Sequence, residues 1–366
     1  MRIATLKLQH FKNYNDEVFD FHPRFNCLVG LNGMGKTNVL DAIHYLAFTK
    51  SAFSLTDQQV LQHDAPFFAV HGTFHAERPM DVSCYMESGK KKIIKINRSE
   101  PEKFSDHIGT IPLIFTSPYD TAIIQGASEI RRKLVDGTLS QFDQGFLEDL
   151  LEYQKVLRQR NTLLKNQQSQ SQKALHGLLD IYDEQLINRS ITISKKRGQL
   201  IGKLTPLFEK NYQVLTDGAE QTEIQFMTKV LTDSFRNDFL EGRKRDMISQ
   251  RTHSGCHRDD VDFLIGGYSV KKMGSQGQQK SVILALRLAQ FDYLSQQTNT
   301  RPMIMLDDIF DKFDDERIGQ LIMLLSDDDR FGQVVLTDAR PGRVQQLFDN
   351  EQAVRIFSIA HGKKIK

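Results

Sequence analysis

Cysteine is scarce in this chain: Cys27, Cys84 and Cys256 are the only three in 366 residues, far apart and without a CxxC pair. That spacing supports neither a disulfide framework nor a zinc site, and it suits a reducing cytoplasm. Long apolar runs are missing too. Nothing approaches the roughly 20 consecutive apolar residues of a membrane span, and the opening MRIATLKLQHFKNY is too briefly apolar for a signal peptide. The expectation is a soluble, cytoplasmic protein with no membrane contact. A dominant charge is also lacking, with 48 Lys+Arg against 46 Asp+Glu. Any nucleic-acid surface must therefore be a local patch and not a global field. No internal repeat stands out, and the length suggests two structural units or one domain with a sizeable insertion.

What is present is concentrated in Phe25 to Leu40, FNCLVGLNGMGKTNVL. Cys27, Leu28 and Val29 read as a buried strand. Gly30 opens a loop, Leu31, Asn32, Gly33 and Met34 follow, and Gly35, Lys36 and Thr37 close it. A loop this tight turns successive backbone N–H groups inward, and its glycines permit φ values and a close approach that a Cβ would obstruct. After Asn38, the residues Val39, Leu40, Ala42, Ile43 and Leu46 recur at helical spacing, so an anion in the loop would meet a helix N-terminus. Strand, loop and helix together predict an ATP-type site. Lys36 would reach the β- and γ-phosphates, and the Thr37 hydroxyl would ligate Mg²⁺.

Around this loop the pattern is strand-rich: Ile3 to Leu8 alternates, Phe67 to Phe74 and Val82 to Tyr85 read as strands, and Ser88-Gly89 turns the second into Lys91 to Ile96 as a hairpin. Ile111 to Phe115 is another short strand. From about Ala127 to Arg251 the spacing becomes helical in a Gln- and Lys-rich background, too short and irregular for a long coiled-coil arm. Strand signals return at Val261 to Ile265, Met303 to Leu306 and Gln333 to Leu336, with a helix over Gln278 to Leu294. The nucleotide fold is thus expected from both chain ends.

Met303 to Leu306 is an apolar strand ending in Asp307 and Asp308. At the carboxyl edge of a parallel sheet, Asp307 would hold Mg²⁺ and Asp308 would orient or deprotonate the attacking water. Alone, such a pair equally caps a turn; beside a full phosphate loop it gains weight. The third element is Ser275, Gln276, Gly277, Gln278 and Gln279 before an apolar helix. It is either an ordinary N-capped helix or a second anion site. One nucleotide has no use for two γ-phosphate cradles, so the second reading places it in trans, in a two-fold dimer with ATP at the interface.

Five segments, LKLQHFKNY, GLNGMGKTN, HRDD at 257–260, SQGQQK and LDDIFDKFD, resemble the bacterial RecF family, relatives of the ABC and SMC ATPases, from Met1 to the LTDAR segment at 336–340. The resemblance implies an α/β ABC-type ATPase head: a P-loop fold with a mixed sheet and β-rich subdomain over 1–117 and 252–366, and a helical lobe inserted over 118–251. It further implies an ATP-dependent homodimer on duplex or gapped DNA, without sequence specificity. Slow, DNA-stimulated hydrolysis would act as a release switch. RecR, RecO and RecA are the implied partners, in gap repair and the SOS response. By the same resemblance Lys12 is the basic residue near the nucleotide and Asp314 lies on a dimer-facing loop. The chain departs from the family in having Lys12 for Arg, Asp41 for Glu, Cys256 for Pro, and FDKFD for a Ser-Glu-Leu-Asp run. Where transporter ATPases carry a glutamine and a switch histidine, it reads FTSPYD and LTDAR, with Thr337 or Asp338 as possible substitutes.

Basic groups at 90–98, 131–133, 158–165, 195–197 and 243–245 could line a DNA face, or be solvated surface. If they bind, they should contact phosphates and not bases. Two other classes compete: the nucleotide-binding subunit of an ABC transporter, which the missing glutamine and histidine disfavour, and a phosphoryl-transfer enzyme, which leaves SQGQQ unused.

Overall fold

The structure, a computed structural model, describes residues 1–365 apart from 77, 170, 217, 219, 309–314 and 349–352. In chain order its strands are β1 (Arg2–Phe11), β2 (Tyr14–Asp20), β3 (Phe25–Val29), β4 (Phe67–His75), β5 (Pro79–Glu87), β6 (Ile93–Ile96) and β7 (Leu113–Thr116), then β8 (Thr222–Met227), β9 (Asp260–Ile265), β10 (Tyr268–Ser269), β11 (Met303–Leu306), β12 (Val334–Asp338), β13 (Val354–Ala360) and β14 (Lys363–Ile365). With the helices they form two compact units: Met1–Asp120 with Leu284–Lys366, and Thr121–Ile283.

In the first unit, β13, β3, β12, β11 and β7 lie parallel in the order β14-β13-β3-β12-β11-β7, with β14 antiparallel at the edge. Every position of β3, β11 and β12 is buried. Parallel strands covered on both faces need near-continuous apolar runs, which is what FNCLV, MIML and VVLTD supply. A second, antiparallel sheet runs β2-β1-β4-β5-β6. The helix Lys36–Phe48 packs on both, since Leu40, Ile43 and Leu46 share one core with Leu8, Phe11 and Val70 of the antiparallel sheet and with Leu28, Met305 and Val335 of the parallel one. A helix covered this way is apolar round most of its circumference. Gly72 on β4 permits the contact, because a Cβ there would come within 2.7 Å of the Leu46 Cδ1.

The second unit is built on the helices Gln144–Lys165 and Gln172–Thr216, the latter 45 residues long, packed side by side. Composition suggested a return to the strand-rich fold at 252, but this unit continues to Ile283. The reason is β8, a TEIQFM strand hidden in the polar helical background. It pairs with β9, and β9 with β10, so the three strands stay with the long helix, where Phe208 meets Phe263.

Charge fastens this unit. The fully buried Arg160 donates to Asp183 at 2.6 Å, and to Asp246 and the Thr252 hydroxyl at 2.8 Å. Arg197 donates to both oxygens of Asp136 at 2.8 Å, to Asp259 at 2.9 Å and to the Cys256 carbonyl at 2.6 Å. Arg131 holds Asp260 through two nitrogens, and Arg243 holds Asp180 and Asp183. A buried guanidinium needs such partners. Arg131, Arg160, Arg197 and Arg243 are therefore internal fasteners, neither a DNA face nor solvated surface, the two readings their sequence left open. The HRDD segment takes the same part: Asp259 also accepts from the Ser194 and Thr228 hydroxyls.

His257 belongs to this framework. Its Nε2 sits 3.2 Å from the Thr252 carbonyl and its Nδ1 2.6 Å from the Tyr153 hydroxyl, so Nε2–H donates and Nδ1 accepts. Burial, chiefly, lowers its pKa to about 4. Between that value and about 6.5 the unfolded chain binds a proton the folded chain refuses, so stability falls on acidification through this window. Melting temperature should drop between pH 7 and 4.5, and His257→Gln should flatten that dependence; an unchanged slope in the variant would refute the assignment.

Candidate functional site

The loop after β3 is shaped by its glycines. Gly30, Gly33 and Gly35 have φ of 151°, 80° and 115°. A Cβ on Gly30 would lie 2.2 Å from the Ile359 carbonyl oxygen, and one on Gly35 would lie 2.6 Å from the Asn13 side chain. Gly35 starts the helix Lys36–Phe48, and no side chain caps it, leaving the first-turn N–H groups for an anion. The Lys36 ammonium is held by the Gly30 and Leu31 carbonyls at 2.7 and 3.1 Å. Leu31, Asn32 and Gly33 are exposed at the crest, while Lys36 is buried and Thr37 half-buried beneath it.

Both chain ends brace the loop, which sequence reasoning missed. Asn13 donates to the Met34 carbonyl at 3.1 Å and accepts from Asn38 at 2.7 Å; the Tyr14 hydroxyl donates to the Gly35 carbonyl at 3.1 Å. From the other end, Gly362 N–H donates to the Met34 carbonyl at 3.0 Å. The signal was available in part: Asn13 and Tyr14 fall inside the LKLQHFKNY segment, but nothing in their type says that they face a loop 21 residues on.

Lys12 is seated beside this brace, with its Nζ 2.6 Å from Asp41 and 5.3 Å from the centre of the Phe53 ring. Asp41 is fully buried and also accepts from the Ser51 hydroxyl and the Ala52 N–H, each at 2.7 Å. The two departures from the family's usual Arg and Glu are thus partners in one ion pair.

At the parallel sheet's edge, the Thr37 hydroxyl meets both Asp307 oxygens, at 2.9 and 3.0 Å. Thr337 reaches the same carboxylate from β12, donating to Asp307 at 2.8 Å while accepting from the Asp308 N–H at 2.9 Å. Asp308 has φ 47°, an uncommon conformation for a residue with a side chain. Burial raises the Asp307 pKa above the usual carboxylate value, against the hydrogen bonds of Thr337 and Thr37, and the neighbouring Asp308 raises it further. A desolvated carboxylate short of positive charge, with a hydroxyl converging on it, fits a bound divalent cation. Among the described residues no group of three His, Cys, Asp or Glu converges, so an ion here would take few protein ligands, as Mg²⁺ does.

The Ser275 element belongs to the second unit and is partly committed. Ser275 accepts from the Gln278 N–H at 3.2 Å, and Gln278 accepts from the Ser275 N–H at 2.8 Å, a reciprocal cap on the helix Gln276–Thr298. Gln279 bonds the Gly274 carbonyl at 2.9 Å, whereas Ser275 and Gln276 are exposed and Gly277 is half-buried. Asp314 lies outside the described residues. In FTSPYD, Asp120 accepts from Arg287 at 2.8 Å, and Tyr119 is 71% exposed beside Phe53.

Residues 2–105 match the family model described as the RecF/RecN/SMC N terminal domain. The chain is 35% identical to the DNA replication and repair protein RecF of Phocaeicola vulgatus, covering 99% of this chain and 98% of that one. It is 39% identical to RecF of Cytophaga hutchinsonii, covering 99% and 96%. It also superposes on a solved structure of the recombination mediator protein RecF with ATP, in the RecFOR pathway, at a TM-score of 0.88 and 26% identity, covering 100% and 97%. An Smc head bound to the C-winged helix domain of ScpA has a TM-score of 0.57 at 14% identity, covering 100% and 96%, a likeness of fold.

Two variants probe this geometry. Lys12→Met should cost roughly 3 kcal/mol in urea denaturation, because it leaves Asp41 buried and uncompensated, while Lys12→Arg stays near wild type; equal midpoints for Met and Lys would disprove the coupling. Thr337→Val should lower any ATP turnover by about 10–100-fold with ATP affinity nearly unchanged, and Thr337→Ser should restore it. A wild-type rate in the valine variant would sink that role.

Proposed function

The chain belongs to the RecF family of DNA replication and repair proteins, and from that premise we propose that it is an ATP-gated DNA clamp of recombinational repair. The observation that carries the reading is the meeting of Thr37 with Asp307, which joins the phosphate loop to the strand-end carboxylate at hydrogen-bond distance. ATP lies in the cradle of Gly30 to Thr37, and Asn38 helps shape its floor through Asn13. Thr37 and Asp307 are the residues that would hold Mg²⁺, which would neutralise charge on the phosphates. Lys36 supplies a fixed positive charge from the loop side, and Asp308 orients the attacking water.

Lys12 acts through Asp41, holding the segment beside Asn13 and Tyr14 in register with the loop. The Ser275 to Gln279 element serves the nucleotide of a second copy, so ATP joins two chains. Asp314 contributes to the same dimer contact. Hydrolysis, slow and DNA-stimulated, releases the dimer. The DNA is duplex or gapped and bound without sequence preference. RecR, RecO and RecA are the partners proposed from the family. No described helix is long and apolar enough to cross a membrane, and a cytoplasmic location is proposed. The transporter-subunit reading lacks its own residues: the segment FTSPYD carries no glutamine, and LTDAR carries no histidine, with Thr337 or Asp338 the candidate substitute.

Asp308→Asn should elute as a dimer with ATP and a monomer without it in gel filtration; monomers under both conditions would reject ATP-driven pairing. Duplex DNA should raise the wild-type ATPase rate more at low salt than at high salt.

A further inference from the structure

We propose that the cleft between the helices Gln144–Lys165 and Gln172–Thr216 is a binding site for the phosphate backbone of duplex DNA, with Lys155 and Arg158 as its phosphate contacts. The cleft has a volume of about 480 Å³. Lys155, Arg158, Gln159, Thr162 and Asn166 recur at three- and four-residue spacing along its first wall, so they share one helical face. Tyr182 lines the other wall. The lining thus offers an ammonium, a guanidinium, two amides and two hydroxyls, and no carboxylate. Leu163 is its one apolar member, and it is packed inward against Leu164, Leu175 and Leu179.

Several of the unit's other cations are already committed. Arg131, Arg160, Arg197 and Arg243 are tied to carboxylates, and Lys133 and Lys196 pair with Glu129 and Asp143 at 2.7 and 2.8 Å. Arg158 is exposed with no ion pair among the described residues, and the exposed Lys155 pairs only loosely, at 3.4 Å, with the half-buried Glu152 one turn back on its own helix. Two outward cations at three-residue spacing, flanked by uncharged donors, suit a chain of anionic oxygens.

The shape decides which anion. A single small phosphate would need buried donors closing round it, and these side chains are exposed or half-buried. An acidic peptide would need an apolar anchor, and Leu163 faces its own core. One aromatic is too few for a stacking platform, so single strands are disfavoured. A duplex backbone asks only for charge and hydrogen-bond donors in an open, wet groove.

This site rests on the DNA-binding reading above, and the test separates the two. The full-length chain, with ATP and Mg²⁺, is titrated onto a fluorescent duplex by anisotropy at several salt concentrations, beside Lys155→Glu/Arg158→Glu and the milder Lys155→Gln/Arg158→Gln. The charge reversal should weaken binding at least about tenfold, and both variants should reduce the slope of log affinity against log salt by about 1.8 for each chain on the duplex, from two lost phosphate contacts per chain, hence about 3.6 for an ATP-joined pair. DNA-independent ATPase rate and ATP-dependent elution should match wild type. Wild-type affinity and slope in both variants overturn the site and leave the DNA reading standing. A wild-type chain that ignores the duplex overturns both.

Discussion

The Asp307 carboxylate is the point on which the nucleotide-binding unit turns. It accepts from Thr37 at the loop helix and from Thr337 at the end of β12, while its own N–H donates to the Thr116 carbonyl on β7. One buried acidic residue, through its side chain and its backbone N–H, therefore ties the loop helix to β11 and to the neighbouring β12 and β7 at the same edge of the sheet. Its raised pKa follows from that position: desolvation is tolerated because two hydroxyls partly replace water. The arrangement is satisfied enough to fold, yet short of positive charge. With Lys36 the one cation acting on it, the carboxylate would suit a cationic or cation-bridged ligand, and under the proposed function the same atoms that hold the fold would set the chemistry.

A second constraint runs through the chain ends. The loop's crest is supported by Asn13 and Tyr14 from the turn between β1 and β2, and by Gly362 from the turn between β13 and β14. Gly362 is forced by closeness, since a Cβ there would lie 2.0 Å from the Asn13 carbonyl oxygen. A phosphate loop built this way needs both termini in place before it is shaped. The middle of the chain is then free to carry something else, and Thr121–Ile283 does, as a unit with its own sheet and its own charge fasteners.

How far the sequence speaks follows from the range of the interactions. The loop, its helix and the β11 strand ending in Asp307 were legible because spacing alone encodes them. β9 and the β4 to β6 hairpins were legible from alternation and a Ser-Gly turn. β8 was not, because TEIQFM sits in a background whose polar residues mask a six-residue strand, and its pairing with β9 lies across 33 to 43 positions. That hidden pairing moved the unit boundary from 252 to 283. Arg131, Arg160 and Arg197 could not be placed for a similar reason: a basic triplet looks the same whether its arginine faces water or a carboxylate 23 to 129 residues away. Thr337 was flagged only as filling the place of a missing histidine, and its bridge between Asp307 and Asp308 required the fold.

The buried arginines also bear on how such a chain would hold DNA. Composition is nearly balanced, and in the helical unit much of the positive charge is neutralised internally by Asp136, Asp183, Asp246, Asp259 and Asp260. What remains outward are the cations of the Lys155–Arg158 cleft and others spread over the surface, such as Lys165, Lys195, Lys203, Lys229 and Arg245. Each phosphate contact of that kind contributes modestly and fades with salt, so one chain alone would grip a duplex weakly. Pairing two copies doubles the contacts and makes the second set intramolecular, which raises affinity far more than the same cations could separately. If two copies pair over ATP as proposed, weak single-chain contacts would be a condition for control: the state of the Asp307 site, through pairing and unpairing, would decide whether the DNA is held.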